Sequence, residues 1–363
     1  MPGADRAAVY EAARRFLTRL PPSARVAVAY HGDADGTGSA ALAVRYLERT
    51  GRVPAPLAPG KGEDLYGESF TARLRAVRPA ALLVLDQGSR PRPVLPGTPT
   101  LVVDHHDAPP EGVPVEVYLS GLHESPVPTA SLMTWRLLSP LTDLSDFDWY
   151  AAVGAIGDLG PDAPFPEVAA AKKAYGAKNL AETVALVNAA KRSGAHDTAA
   201  SLGALLAAAK PEDIAKGRVP QSETLAASRA EVASERTRIA KTAPRFADNW
   251  ALLLFSSPCQ LHGPVASSWV GRLPKHIILA ANVEYTPGNI HFSVRTRRPG
   301  ENLLDRLRAF RDAVDAPELG QGHAQATGGV LDRSRFVKLL AALGFDAATA
   351  VAAPKNDVPA AAS

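Results

Sequence analysis

Three short runs, residues 26–30, 81–85 and 101–103, are wholly apolar, and each ends directly in a polar cluster. The clusters are His31-Gly32-Asp33-Ala34-Asp35-Gly36, Asp86, and Asp104-His105-His106. A fourth apolar run, 151–156, leads to Asp158 within Gly154-Ala155-Ile156-Gly157-Asp158-Leu159-Gly160. Runs of that length without alternation suit strands buried on both faces of a parallel sheet. A parallel sheet needs helical crossovers, so this pattern dictates an α/β fold. In an open sheet of that kind ligands bind at the carboxyl edge of the strands, which is where the clusters emerge. Asp86 or Asp158 alone would read as a turn former or cap. Four clusters in order, carrying carboxylates and imidazoles to one edge, read as a metal site.

The chain of 363 residues has room for two domains, and its 46% hydrophobic content can bury two cores. Lys and Arg number 40 against 37 Asp and Glu, a net charge of +3, which argues against a long nonspecific nucleic-acid track while allowing a local basic patch. The single cysteine, Cys259, excludes an intrachain disulfide and a cysteine-based zinc site, and reads as a buried small hydrophobe. No signal peptide opens the chain and no apolar run approaches the ~20 residues needed to cross a bilayer, so a cytoplasmic protein is expected.

Strands are expected at residues 24–30, 53–57, 80–86, 98–104 and near 113–118, with helices at 4–20, 37–49, in 65–77, and at 129–138, 149–158, 179–192 and 198–209. The strand–helix alternation predicts a doubly wound, mostly parallel α/β domain over 1–216, helical from about 129. A helical linker over 217–245 joins it to a smaller α/β domain at 246–345, and the active site is expected in the cleft between the domains. That second domain should carry strands at 251–256, 275–284 and 289–296, the last two joined at Pro287-Gly288-Asn289, and helices at 264–271, 303–313 and 333–343. The alanine- and proline-rich residues 346–363 read as a disordered tail.

Ligands without thiolate favour Mn²⁺ or Mg²⁺ over structural zinc. Read as an extended segment, residues 31–35 alternate, so His31, Asp33 and Asp35 face one side, and a turn at Gly36 bends the backbone around the ions. With Asp86, His105 and Asp158 these exceed what one ion takes from protein, so two ions are the expected cofactors. Paired ions of this kind lie about 3.5–4 Å apart and clamp a phosphate. Asp107, His123 and Glu124 receive no such assignment.

These clusters resemble the signature motifs of the DHH phosphoesterase superfamily, named for a triplet that stands here as Asp104-His105-His106. The superfamily includes RecJ-type exonucleases, nanoRNases that also act on 3′-phosphoadenosine-5′-phosphate, cyclic-dinucleotide phosphodiesterases and family II pyrophosphatases. The resemblance implies one Mn²⁺ on His31, Asp33 and Asp86 and a second on Asp35, Asp86, His105 and Asp158. It also implies that Asp104 orients a neighbouring histidine and that His106 approaches the phosphate or leaving oxygen.

The glycine-rich segment 320–329 offers close backbone approach to an anion, and a helix beginning beyond it would present free N–H groups. It resembles the Gly-Gly-His-x-x-Ala-x-Gly motif of the substrate-binding domain in the nuclease branch, which implies roles for Gly322, His323 and Gly328. Gln321 and Thr327 depart from that pattern. Ser293 and Arg295 resemble the element that holds a nucleotide's terminal phosphate in the same branch, and a guanidinium suits that clamp. Period-two alternation would set Arg297 on the same face as Arg295; which of these and Arg298 faces the cleft stays open.

The expected activity is a metal-dependent phosphodiesterase that releases mononucleotides from short oligonucleotides and also acts on 3′-phosphoadenosine-5′-phosphate. The residues after Leu343 are too few for the extra barrel of full RecJ enzymes, which points to short substrates. A cyclic di-AMP phosphodiesterase and a RecJ-like single-stranded DNA exonuclease are the alternatives, and a non-catalytic nucleic-acid-binding scaffold is a remoter one. The expected partner is a single-stranded oligonucleotide or nucleotide substrate, with a homodimer left open and no membrane.

Overall fold

The computed structural model describes residues 6–109 and 111–346. The chain divides into two compact units, residues 1–191 with 195–229 and residues 192–194 with 230–363. In the first, α1 (Arg6–Arg19) precedes β1 (Arg25–Tyr30), α2 (Ala34–Arg49), β2 (Val53–Leu57), α3 (Glu68–Val77), β3 (Ala81–Leu85), β4 (Thr100–Asp104) and β5 (Val117–Ser120). The five strands form a parallel sheet in the order β2-β1-β3-β4-β5. Its alternating side chains explain why the central strands are apolar throughout. Val26, Val28, Leu83, Leu85, Leu101 and Val103 enter one core with α1 and α2, whereas Ala27, Ala29, Leu82, Val84 and Val102 enter another with Phe70 and Leu74 of α3. A sheet covered on both faces leaves its carboxyl edge as the place where polar groups can gather.

The chain then turns helical: α4 (Ala130–Leu138), α5 (Asp148–Leu159), α6 (Pro166–Tyr175), α7 (Ala177–Arg192), α8 (Thr198–Ala207), α9 (Pro211–Ala215) and α10 (Ser222–Ile239). Helices α6 and α9 were not anticipated; both start with proline at the first turn, where its missing N–H costs nothing. Helix α10 supplies Leu225 to the first unit's core and Val232 and Ile239 to a core of the second.

The second unit holds β6 (Arg245–Ala247), β7 (Trp250–Phe255), α11 (His262–Val270), β8 (Ile277–Thr286), β9 (Asn289–Arg295), α12 (Leu303–Arg308), α13 (Arg311–Val314), β10 (Gln321–His323), β11 (Ala326–Asp332) and α14 (Arg333–Ala342). Its sheet runs β10-β11-β9-β8-β7-β6, parallel at β7–β8 and antiparallel at the other pairs. Leu252, Leu254, Phe292 and Val294 pack with α12 and α14 on one face, and Leu253, Phe255 and Ile278 pack with α11 on the other.

Three local expectations are corrected. Helix α2 begins at Ala34 rather than Thr37. Residues 303–313 are two short helices, because Phe310 at φ −100°, ψ 0° leaves helical geometry and starts the second. The glycine-rich segment is an antiparallel hairpin, β10–β11, rather than a turn leading into a helix. The expected tail, from residue 347 onward, lies outside the described residues. No helix among those described is long and apolar enough to cross a membrane.

Candidate metal centre

His31 leaves β1 with its N–H on the Leu85 carbonyl, 3.1 Å away. Asp33 is the N-cap of α2, its carboxylate accepting from the Gly36 N–H at 3.2 Å, and Asn188 of α7 satisfies the Ala34 N–H at 3.0 Å. These two bonds explain the early helix start, since they answer donors that a first turn leaves exposed. The extended arrangement of His31, Asp33 and Asp35 therefore does not form: one sits at the strand exit, one at the cap and one in the first helical turn. Gly36 is still required, because a Cβ there would stand 2.1 Å from the His31 carbonyl oxygen.

Asp35 is fully buried and docks on the amino end of α4. Its Oδ2 accepts from the Ala130 N–H at 2.8 Å, and its Oδ1 from the Ser131 N–H at 3.0 Å and the Ser131 hydroxyl at 2.5 Å. Asp86, directly after β3, takes the left-handed conformation (φ 58°) with its N–H on the Val103 carbonyl at 3.0 Å. Asp104 ends β4, followed by His105 and His106, and Asp158 lies in the last turn of α5.

The side chains meet in three overlapping groups: His31 with Asp33 and Asp86, Asp35 with His105 and Asp158, and Asp86 with His105 and His106. His31 Nδ1 stands 2.8 Å from Asp33 and 3.5 Å from Asp86. His105 Nε2 stands 3.3 Å from Asp86, 3.4 Å from Asp158 and 3.9 Å from Asp35. Asp104 binds the His106 Nδ1 at 2.8 Å and the His105 N–H at 2.9 Å. Asp86 Oδ1 and His105 Nε2 are buried 3.3 Å apart, and among the described residues neither makes a well-aligned hydrogen bond. Orphaned atoms of that kind are costly unless something absent from the polypeptide meets them. A divalent cation fits this all-oxygen-and-nitrogen donor set.

Burial and the facing Asp86 push Asp35 up to about 6; burial and the carboxylates of Asp35, Asp33 and Asp86 push Asp158 up to about 8. Burial works against protonated His31, and so does the Lys191 ammonium, but Asp33 outweighs them and the ring rises to about 9. Burial likewise opposes protonated His105, and Asp86, Asp35 and Asp158 carry it to about 10. Asp33 overcomes its own burial through His31 and Lys191 and stays well below the usual carboxylate range.

Small residues let α5 bring Asp158 in. A Cβ on Gly154 would lie 2.1 Å from Ser131 Oγ and 2.6 Å from Asp35 Oδ1, and one on Gly157 would lie 2.6 Å from Ala34 Cβ. Gly154→Ala should thus move the Ser131 hydroxyl off Asp35, lower stability by about 1–3 kcal/mol from overpacking, and weaken metal binding. Thermal unfolding and metal titration check this; unchanged values for both would contradict it.

Sequence reasoning missed Ser131, Asn188 and Lys191. Lys191 Nζ lies 2.5 Å from His31 Nε2 and 3.9 Å from Asp33 Oδ2. No local pattern marks it, because α7 is distant from His31 in sequence.

In the second unit Ser293 is buried on β9, and Arg295 ends that strand in register with Ala326. The Arg295 guanidinium donates to Ser293 Oγ at 3.0 Å and to the carbonyls of Val294 at 2.9 Å and Thr327 at 3.0 Å. Among the described residues no carboxylate pairs with it within 4 Å, and burial lowers its pKa. Arg297 lies beyond the strand and is exposed, so the alternation expected to align it with Arg295 stops short of it. Gly322 is exposed at φ 116°, and Gly328 backs against β9, where a Cβ would be 2.5 Å from the Phe292 carbonyl oxygen. Of His323 the backbone is placed in β10; its side chain lies outside what is described.

The sequence matches no family model and no curated protein. The fold does match solved structures. RecJ in complex with Mn²⁺ from Thermus thermophilus superimposes with a TM-score of 0.66 at 21% identity, over 98% of this chain and 56% of that one. An exonuclease RecJ bound to manganese gives 0.64 at 21%, over 95% and 97% of the two chains. The DHH domain of a member of the s1p family of ribosomal proteins gives 0.63 at 14%, over 94% and 91%. This chain thus spans a little over half the length of the Thermus RecJ and shares the fold of DHH-domain proteins.

Proposed function

We propose that this protein is a two-metal phosphodiesterase that hydrolyses short single-stranded oligonucleotides to mononucleotides. The observation that carries the reading is the set of three overlapping ligand groups sharing Asp86 and His105 at the carboxyl edge of the sheet. One ion, Mn²⁺ in our reading, would be held by His31, Asp33 and Asp86, and the other by Asp35, Asp86, His105 and Asp158. Bound there, the ions would lower the pKa of a water and polarise the phosphoryl oxygens.

The chain's own residues supply the rest. Asp35, tied down by the amino end of α4, and Asp86, fixed by its backbone bond to β4, present carboxylates that need no reorganisation. Asp104 fixes the ring orientation of His106 through Nδ1, so the substrate would be met at Nε2, where a proton can reach the leaving oxygen. Arg295, with Ser293, Gly322, Gly328 and His323, would hold a terminal phosphate. A guanidinium partly buried on neutral partners is suited to an anion brought by the ligand. Arg297, being exposed, would contribute charge at the rim. The near-balanced net charge favours a short substrate over a long backbone track.

A single panel tests this: short and long RNA and DNA with and without a terminal phosphate, 3′-phosphoadenosine-5′-phosphate and cyclic di-AMP, each with Mn²⁺. Fastest turnover of a terminally phosphorylated short oligonucleotide is expected, with Arg295→Ala erasing the preference for the phosphorylated end. Processive digestion of long DNA would instead favour a RecJ-like exonuclease, the second reading that the fold likeness supports. No turnover of any member would sink the assignment.

A further inference from the structure

We propose that Lys191 is a further catalytic residue of this site, its ammonium meeting a non-bridging oxygen of the scissile phosphate beside His31 and Asp33. The inference rests on the phosphodiesterase reading above. Lys191 reaches the first ligand group from α7, on the opposite side from Asp86: its Nζ is 2.5 Å from His31 Nε2 and 3.9 Å from Asp33 Oδ2, while Asp86 approaches the other ring nitrogen of His31. The side chain is only 12% exposed. Holding an ammonium there costs desolvation that a surface lysine would avoid.

The surroundings build this placement. Gly32 stands between the two ligands His31 and Asp33, and a Cβ on it would lie 2.2 Å from Thr198 Cγ2 and 3.5 Å from Lys191 Cγ. The absence of that carbon is what lets Thr198, at the start of α8, close over the ligand loop, with the stem of Lys191 in ordinary packing distance beside it. A lysine serving only to neutralise Asp33 would be expected within hydrogen-bond distance of the carboxylate. This one is centred on the imidazole edge instead, where an anion lying against His31 and Asp33 comes within its reach.

In the reaction a water oxygen bonds to phosphorus and gives up a proton, while the bond from phosphorus to the leaving oxygen breaks and that oxygen takes a proton. Lys191 keeps its protons throughout. It acts by charge on an oxygen that becomes more negative as the new bond forms, the kind of contact whose loss typically costs about 10²–10³-fold in kcat.

The test compares full-length wild type with Lys191→Met and Lys191→Arg, each checked for folding by thermal unfolding. Calorimetry measures Mn²⁺, adenosine 5′-monophosphate and adenosine; steady-state kinetics measures kcat and KM. Lys191→Met should lower kcat by about 10²-fold or more at nearly unchanged KM, weaken the monophosphate about tenfold and leave adenosine and Mn²⁺ binding unchanged; Lys191→Arg should recover most of both losses. Normal monophosphate affinity in folded Lys191→Met would overturn the inference. So would an equal loss of Mn²⁺ affinity, which would make Lys191 part of the ligand scaffold. Should Lys191→Met not fold, Lys191→Arg with unimproved function despite a retained fold would count against it. If wild type hydrolyses no phosphodiester, the phosphodiesterase reading fails, and the monophosphate titration still decides on Lys191.

Discussion

Replacing Asp86 with alanine is expected to abolish turnover, lowering kcat by at least about 10³-fold, since losing even an outer partner of a metal ligand typically costs about 10- to 100-fold. Asp86 belongs to two of the three ligand groups, with His31 and Asp33 on one side and with His105 and His106 on the other. Removing it should eliminate metal binding at His31 and Asp33 while leaving a weakened group at Asp35, His105 and Asp158. The fitted stoichiometry should fall from two ions to one. Because Asp86 holds φ 58°, where alanine is strained by roughly 1–2 kcal/mol and asparagine is tolerated, Asp86→Asn is the control that separates lost ligation from a disturbed backbone. Full activity in Asp86→Asn would refute the two-metal assignment.

Metal affinity should rise steeply with pH. His31 and His105, raised to about 9 and about 10, and Asp158, raised to about 8, hold protons in the metal-free protein at neutrality. Ligation must displace them, so about two to three protons leave per site pair and affinity climbs about 10²–10³-fold per pH unit between roughly pH 6 and 8. Above 8 the slope should fall, and above 10 it should level. Stability follows with its own sign. The raised histidines stabilise the metal-free fold below about 6.5 and lose that contribution as pH rises through 9 and 10. Asp158, whose folded pKa lies above its unfolded value near 4, removes stability as pH rises from about 4 to 8. Above about pH 6.5, where buried His196, lowered to about 4, is neutral in both states, both push the same way, so the melting temperature of the metal-free protein should fall as pH rises from about 6.5 to 10 while the increment from added Mn²⁺ grows. Calorimetry in buffers of different ionisation enthalpy counts the released protons; a flat affinity from pH 6 to 9 would contradict the electrostatics.

The strands and the polar residues that follow them were legible because burial on both faces makes central strands apolar throughout, so the first charged residue marks the edge. Helix α2 was misjudged because glycine at 36 reads as a turn in isolation. Its reason is tertiary: the His31 carbonyl occupies the space a Cβ would need. Ser131, Asn188 and Lys191 were illegible for a related cause. Each acts on a ligand loop nearly a hundred or more residues away, and nothing in α4 or α7 distinguishes them from other polar helix positions. The glycines of the β10–β11 hairpin read locally as a turn opening a helix, because the strand partner that makes them a hairpin, β9, against whose Phe292 carbonyl Gly328 packs, is distant in sequence.

Strand β2 carries Pro54 and Pro56 and, among the described residues, pairs on one side only, with β1. The Val53 N–H points inward, to the Ala24 carbonyl, so the alternate positions 54 and 56 turn their nitrogens outward, and neither has a hydrogen to offer. A foreign strand arriving at this rim would find carbonyls but lack two of the donors it needs for a ladder. The same strand that completes the scaffold beneath the metal ligands thereby guards this rim of the sheet against edge-on strand addition.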